Sequence, residues 1–281
     1  MCQLLGMNCN TPTDITISFE GVRRRGGQTD CHADGFGIAF FQEKNVRILK
    51  DKNPCASSPI ADLIQKHPIK SENVIAHIRK ATHGQVTLAN THPFKRKLWN
   101  ENWVFAHNGH LKNYPASELK YFKTEGNTDS EWAFCYLLNR LHQLFSDKPE
   151  QEKLFYAVAD ICAELRQYGL LNFVLSNGKW MMAHASTLLF YIIRQAPFGQ
   201  ASLVDEEMTI DFSAVTTPHD RVAVMATLPL THNEQWQQLA TNELVLFENG
   251  TITLRHCAHT PSYMSVEQGL AIARQMGNTT I

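Results

Sequence analysis

The chain opens with MCQLLGMNCN (residues 1–10), in which a cysteine directly follows the first methionine and an apolar run follows the cysteine. The stretch at residues 2–7, CQLLGM, predicts a short buried strand. Chain ends usually fray, so packing alone gives a cysteine little reason to stand there. If Met1 is removed, Cys2 carries both a thiol and a free α-amino group, so one residue holds a nucleophile and a base. We therefore expect the active chain to begin at Cys2.

The composition is that of a folded protein with a sizeable core. The chain has 281 residues, of which 43% are hydrophobic and 19% are charged, and we expect one domain over residues 2–281. The 26 basic and 27 acidic residues give a formal charge of -1, which provides no general attraction for nucleic acid or an anionic membrane. No apolar stretch is long enough to predict a transmembrane helix, and the first residues lack the features of a secretory signal.

The seven cysteines are odd in number and scattered along the chain. That distribution does not fit a disulfide framework in a chain of this length, and it favours a reducing compartment. We expect a cytoplasmic protein.

Hydrophobic periodicity predicts an α+β protein with several antiparallel hairpins and a few long helices. Helices are predicted at 13–25, with Thr13 or Asp14 as the cap, at 57–66, with Ser58 as the cap, at 128–145 and at 152–168. A hairpin is predicted over 36–50, and further strands at 73–78, 103–106, 171–175, 180–184, 188–193, 221–226, 244–248 and 251–255. Asn177-Gly178 and Asn249-Gly250 are predicted to be two-residue hairpin turns.

Three polar positions follow or begin these elements, and each has an ordinary structural interpretation. Arg79, in AHIRKATHG (76–84), ends a predicted strand and suits a carboxylate, although this segment alone favours a structural ion pair. Asn108-Gly109, in FAHNGHL (105–111), is typical of a hairpin turn, but it also offers a side-chain amide and a backbone N–H to an oxyanion. Asp129, in NTDSE (127–131), begins the strongest helix, where an aspartate usually caps the helix or favours its dipole.

Together these residues suit one shape of substrate. Arg79 would hold an α-carboxylate and Asp129 an α-ammonium, so the pair selects the head of an amino acid. Cys2 would attack a side-chain carbonyl, and Asn108 and Gly109 would receive the negative oxygen. Glutamine, or a γ-glutamyl compound, fits this arrangement.

These motifs resemble those of the class II glutamine amidotransferases, which are N-terminal-nucleophile hydrolases. The matching residues are Cys2, Arg79, Thr82, His83, Gly84, His92, Pro93, Asn108, Gly109 and Asp129. The chain is most similar to the small stand-alone members of the YafJ type, through RRRGGQTDCHADGFGIAF (23–40) as well. The resemblance covers most of the chain, and it is strongest over residues 2–135.

The resemblance implies a four-layer αββα sandwich in which two antiparallel sheets lie between helical layers. It also implies that Cys2, Asn108 and Gly109 are catalytic, that Arg79, Thr82, His83 and Asp129 bind substrate, and that no cofactor is needed. The products would be glutamate and ammonia, by way of a γ-glutamyl thioester. Residues 150–281 show no motif of a synthase, so any ammonia acceptor would be a separate protein.

Two other functions remain open at this point. The chain could hydrolyse a small-molecule γ-glutamyl amide, in which a substituent replaces ammonia as the leaving group. It could instead be a binding protein without catalytic activity. Such a protein would be expected to lose the proposed site residues, yet all five are present: Cys2, Arg79, Asn108, Gly109 and Asp129. The 13 histidines show no zinc signature, so we expect no metal. We expect His77, His83 and His92 to order the site loops or to be hydrogen-bonded core residues.

Overall fold

The computed structural model describes residues 2–81, 85–116, 119–258 and 265–275. Within these ranges the strands are β1 (Gln3–Asp14), β2 (Phe36–Gln42), β3 (Asn45–Asp51), β4 (Lys70–Ile78), β5 (Phe94–Leu98), β6 (Glu101–Leu111), β7 (Gly169–Ser176), β8 (Met181–Ala185), β9 (Phe190–Gln195), β10 (Gln200–Ser202), β11 (Thr209–Asp211), β12 (Arg221–Ala226), β13 (Gln237–Gln238), β14 (Glu243–Glu248) and β15 (Thr251–Cys257). The helices are α1 (Thr16–Arg24), α2 (Pro59–Lys66), α3 (Asp129–Leu144), α4 (Gln151–Leu165) and α5 (Val266–Gln275). In the part of the chain thus described, no helix is both long and apolar enough to cross a membrane.

The strands form two large antiparallel sheets. The first has seven strands in the order β13-β9-β12-β1-β4-β2-β3, and the second has six in the order β15-β14-β8-β7-β6-β5. The strands β10 and β11 pair with each other as a separate ribbon. Strand β1 pairs with both β4 and β12, so the chain's first strand lies in the middle of its sheet.

Three hydrophobic cores lie between four layers, which are two sheets in the middle and helices on each outer side. In β1, Leu5 and Met7 belong to the core between the first sheet and the helices α1 and α2, whereas Leu4 belongs to the core between the two sheets. A third core joins the second sheet to α3 and α4. This alternation is the usual consequence of the two-residue period of a strand. The architecture is therefore the α+β four-layer αββα sandwich that the resemblance implied.

Several predicted elements are confirmed. The hairpin over 36–50 is β2–β3, and Ser58 caps α2 by accepting hydrogen bonds from the backbone of Ile60 and Ala61. The predicted strand at 221–226 coincides with β12. Asn249 and Gly250 both have positive φ and join β14 to β15, as a two-residue turn requires.

Three local predictions are wrong. Strand β1 continues through Thr13 and Asp14, which pair with β4 beyond an irregularity, so α1 begins later and neither residue is its N-cap. Asn177 and Gly178 lie in a four-residue connection, because Ser176 pairs with Met181. Asn108 and Gly109 form no turn, since both lie inside β6 and pair with β7.

Candidate active site

Cys2 directly precedes β1, and the two-residue period places it on the same side as Leu4, which faces the second sheet. Its Sγ is 3.2 Å from the backbone nitrogen of Lys80, which donates a hydrogen bond to it. Burial raises the pKa of the Cys2 thiol, and this backbone bond and the positive charge of Arg79 oppose that rise only in part. The thiol therefore stays protonated at neutral pH unless a nearby base removes its proton.

Asn108 reaches Cys2 from the opposite sheet. Its Nδ2 donates to the backbone oxygen of Cys2 at 2.7 Å and lies 3.3 Å from Oγ1 of Thr227. The side chain is buried, and its Oδ1 has no hydrogen-bond partner within the described residues. On the same strand Val104 and Ala106 belong to the core between the sheets, so the strand period directs Asn108 toward Cys2.

Gly109 lies in β6 where the neighbouring strand β7 leaves no room for a side chain. A Cβ atom at this position would stand 2.0 Å from the backbone oxygen of Leu170 and 2.4 Å from Nε2 of His107. The ring of His107 contacts that same Leu170 oxygen through Nε2 at 3.0 Å and Oγ of Ser130 through Nδ1 at 2.9 Å. Gly109 is thus packed tightly against β7, and the nearby ring of His107 contacts the start of α3.

Asp129 is the first residue of α3, but it does not cap that helix. The cap is Thr128, whose side chain accepts from the backbone nitrogen of Glu131. The Asp129 carboxylate instead accepts from the backbone nitrogens of Leu111 at 2.8 Å and Ser130 at 2.9 Å. Two backbone donors therefore fix an anionic group next to the end of β6.

Arg79 directly follows β4 and is 3% exposed. Its backbone nitrogen donates to the Gly35 oxygen at 2.8 Å, its backbone oxygen accepts from Asp34, and its Nη1 donates to the Gln85 oxygen at 3.1 Å. Burial lowers the pKa of the guanidinium, while Cys2 and the Asp34 carboxylate favour its charge; an arginine stays cationic under such shifts. The Asp34 carboxylate also accepts from the backbone nitrogen of Ala81 at 2.8 Å. The segment HADGFG (32–37) therefore bonds the backbone at Arg79 and at Ala81.

Thr82 and His83, the other two predicted substrate-binding residues, lie outside the described residues, as does Gly84. The structure thus brings Cys2 and Asn108 into direct contact and places Arg79 next to the residue that bonds the Cys2 thiol. Asp129 joins the same end of β6 through Leu111.

Two of the three histidines singled out in the sequence, His77 and His92, are buried. The rings of His77 and His92 stack with centroids 4.0 Å apart, and neither ring nitrogen of His92 has a hydrogen-bond partner within the described ranges. His92 is therefore buried against His77, and its ring has no hydrogen-bond partner in the part of the chain that the structure describes. His83 lies outside the described residues. Across residues 2–81, 85–116, 119–258 and 265–275, no group of three or more histidine, cysteine, aspartate or glutamate side chains could hold a metal ion.

Sequence reasoning missed three residues at this site: Asp34, which orients backbone groups beside Arg79, Lys80 and Thr227. Lys80 acts through its backbone nitrogen, which no side-chain pattern reveals. Thr227 lies 119 positions from Asn108, and nothing in the sequence near either residue indicates that they meet. The pairing of β12 with β1, together with the packing of the second sheet on the first, brings them together.

Comparison with known proteins shows the family of the chain. The family model of the class II glutamine amidotransferases matches residues 1–270, and the chain belongs to that family. It is 51% identical over 248 residues to "Putative glutamine amidotransferase YafJ" of Escherichia coli, covering 88% of this chain and 97% of that protein. A "Putative glutamine amidotransferase" of Haemophilus influenzae is 54% identical over 250 residues, which cover 89% of this chain and 85% of that protein.

A solved structure is similar over nearly the whole chain. The crystal structure of a "predicted glutamine amidotransferase" from Pseudomonas aeruginosa is 41% identical in sequence and superimposes with a TM-score of 0.73. The match covers 90% of this chain and all of that one. The fold and the family are therefore those of the small class II amidotransferases.

Proposed function

We propose that this protein hydrolyses the side-chain amide of glutamine, with Cys2 as the nucleophile. The observation that carries the proposal is the contact between the Cys2 backbone and the Asn108 amide at 2.7 Å. It brings a thiol from one sheet and an oxyanion donor from the other to one end of the sandwich. Membership of the class II family supports the same reaction.

The head of the substrate would be held by two opposite charges. In our proposal the Arg79 guanidinium binds the α-carboxylate in a bidentate pair, and the Asp129 carboxylate binds the α-ammonium. Thr82 and His83 would complete the carboxylate site. Asp129 is already oriented by two backbone N–H groups, so little of its side-chain freedom remains to be lost on binding.

The base would be the α-amine that Cys2 gains when Met1 is removed. The ordinary pKa of an α-amine is about 7.7–8.0, and burial raises the pKa of the Cys2 thiol. The neutral fraction of this amine near neutral pH would take the thiol proton as Sγ attacks the amide carbon. Asn108 Oδ1, which has no partner among the described residues, would accept a hydrogen bond from this amine.

The reaction then proceeds through two tetrahedral intermediates. Sγ of Cys2 attacks the amide carbon, and Asn108 and the Gly109 backbone N–H hold the oxyanion, each such donor being worth about 2.7–4 kcal/mol. The ammonium of Cys2 returns its proton to the leaving nitrogen, and ammonia departs. Water attacks the γ-glutamyl thioester, which releases glutamate and the free thiol. In a cytoplasmic setting the ammonia would be released or taken by a separate synthase.

Turnover of glutamine tests this proposal. Glutamate and ammonia are measured after incubation of the purified chain with L-glutamine, beside the Cys2→Ser variant as the matched control. We expect equal amounts of both products from the wild type and at least a hundredfold slower turnover by Cys2→Ser, because serine is a far weaker nucleophile without strong activation. Turnover of substituted γ-glutamyl amides but not of glutamine would contradict the glutamine assignment and identify a γ-glutamyl hydrolase. No turnover of either would indicate a binding protein.

A further inference from the structure

Thr227 links the end of β12 to β1 and β6, the strands of Leu4 and Asn108. It follows β12 and is 1% exposed. Its Oγ1 accepts a hydrogen bond from the backbone nitrogen of Leu4 at 2.9 Å and lies 3.3 Å from Nδ2 of Asn108. Its own backbone nitrogen donates to the Leu4 oxygen at 3.2 Å. The hydroxyl is therefore held in place by β1 while it contacts the side chain of Asn108.

We propose that Thr227 is a positioning residue, which holds the Asn108 amide in the orientation that receives the oxyanion. This inference rests on the proposed function, because it assigns a reaction step to Asn108. Thr227 does not itself contact substrate in this scheme. Its hydroxyl accepts from Nδ2 of Asn108 and so fixes the orientation of the amide plane.

The physical reason is the softness of the last torsion of asparagine. The χ2 angle of asparagine has a broad energy profile, so a single hydrogen bond from Nδ2 to the Cys2 oxygen lets the amide plane rock about that bond. A second acceptor on the same nitrogen fixes the plane. The Cys2 carbonyl can only accept, so the nitrogen rather than the oxygen of the amide must face it. The Thr227 hydroxyl supplies the second acceptor.

The two bonds differ in length in a way that suits catalysis. The hydrogen bond from Asn108 Nδ2 to the Cys2 oxygen is 2.7 Å long, whereas the distance from Nδ2 to Thr227 Oγ1 is 3.3 Å. The longer contact is the weaker of the two. A charged oxygen is a stronger acceptor than a hydroxyl, so a developing oxyanion would draw the second N–H away from Thr227. The hydroxyl thus orients this donor in the resting enzyme and yields it when the tetrahedral intermediate forms.

The rival explanation is that Thr227 only stabilises the fold through Leu4. Removal of its hydroxyl leaves the buried Leu4 N–H without an acceptor, which destabilises the protein whichever explanation holds. A matched control is therefore needed. Thr231 is also buried, and its hydroxyl accepts from Nε1 of Trp236 at 2.8 Å, so Thr231→Val removes a comparable acceptor without contact to Asn108.

The experiment compares Thr227→Val, Thr227→Ser and Thr231→Val in glutamine turnover. For Thr227→Val we expect kcat to fall roughly 10- to 100-fold, which is part of the effect of losing one oxyanion donor, while KM stays within about twofold because Arg79 and Asp129 are untouched. Thr227→Ser keeps the hydroxyl and should restore most of kcat. Thr231→Val should show wild-type kcat despite a lowered melting temperature.

A second readout does not depend on activity. In ¹⁵N-labelled protein, the side-chain amide signal of Asn108 is assigned by its loss in Asn108→Asp. We expect its protons to exchange with water faster in Thr227→Val than in the wild type, and at the wild-type rate in Thr227→Ser. If kcat or this exchange rate is unchanged in Thr227→Val, or if Thr231→Val loses as much kcat, the positioning role is refuted. A wild type without turnover would contradict the proposed reaction alone, and the exchange rates would still decide how Asn108 is held.

Discussion

Gly109 shows how much a single residue can determine at this site. The oxygen of Leu170 occupies the place where any side chain at position 109 would begin, and the same oxygen contacts the His107 ring. His107 in turn contacts Ser130, the neighbour of Asp129. The missing Cβ therefore allows β6 to pack tightly on β7, and His107 of β6 also contacts the start of α3.

The substitution Gly109→Ala tests this packing. We expect it to lower the free energy of unfolding by about 3 kcal/mol, the upper end for an overpacked core, because a backbone oxygen rather than a flexible side chain must move. Glutamine turnover should be lost as well. The measurement is urea unfolding, with Gly199→Ala as control, since no heavy atom lies within 4 Å of a Cβ added there. Equal stability of the two variants would contradict the tight packing.

At the scale of elements, the sequence was most informative where a pattern is local. The β2–β3 hairpin and α2 with its Ser58 cap could be predicted because alternation and capping act over a few residues. Asn108-Gly109 could not be recognised as part of a strand, because this dipeptide usually favours a turn. In the folded chain its pairing with β7 outweighs that local preference. In the same way, Thr13 and Asp14 are drawn into β1 by pairing with β4.

The same distinction applies to the site. Cys2, Arg79, Asn108 and Asp129 could be selected from the sequence because their side chains carry the chemistry of the proposed reaction. Lys80 and Asp34 could not, because one contributes a backbone nitrogen and the other orients backbone groups. Thr227 requires the order of strands in the first sheet, which short-range patterns do not contain.

At the scale of the whole molecule, the cores contain imidazole rings that stay neutral. Burial lowers the pKa values of His77 and His92 well below the ordinary histidine value, and it lowers that of His184 to about 3. In the unfolded chain these rings titrate near pH 6.5. Below that pH the unfolded state binds more protons than the folded state, so stability must fall as pH falls.

The variant His92→Phe tests this linkage. Each buried neutral histidine reduces the free energy of unfolding by up to about 1.4 kcal/mol per pH unit below about pH 6.5, so removing one should flatten the decline by up to that amount. The measurement is urea unfolding between about pH 5 and pH 6.5. His232→Phe, at a solvent-exposed position, should keep the wild-type slope. An unchanged slope in His92→Phe would mean that His92 takes up a proton in the folded state.

If Cys2 is the nucleophile of a glutamine-shaped site, as we propose, a reactive analogue of glutamine should label it covalently. The intact mass of the purified protein is measured before and after incubation with 6-diazo-5-oxo-L-norleucine, a diazoketone analogue of glutamine. We predict a chain that has lost Met1 and that gains a single adduct, mapped to Cys2 and absent in Cys2→Ser. A chain that begins at Cys2 and gains no adduct, or gains it at another cysteine, would contradict the claim.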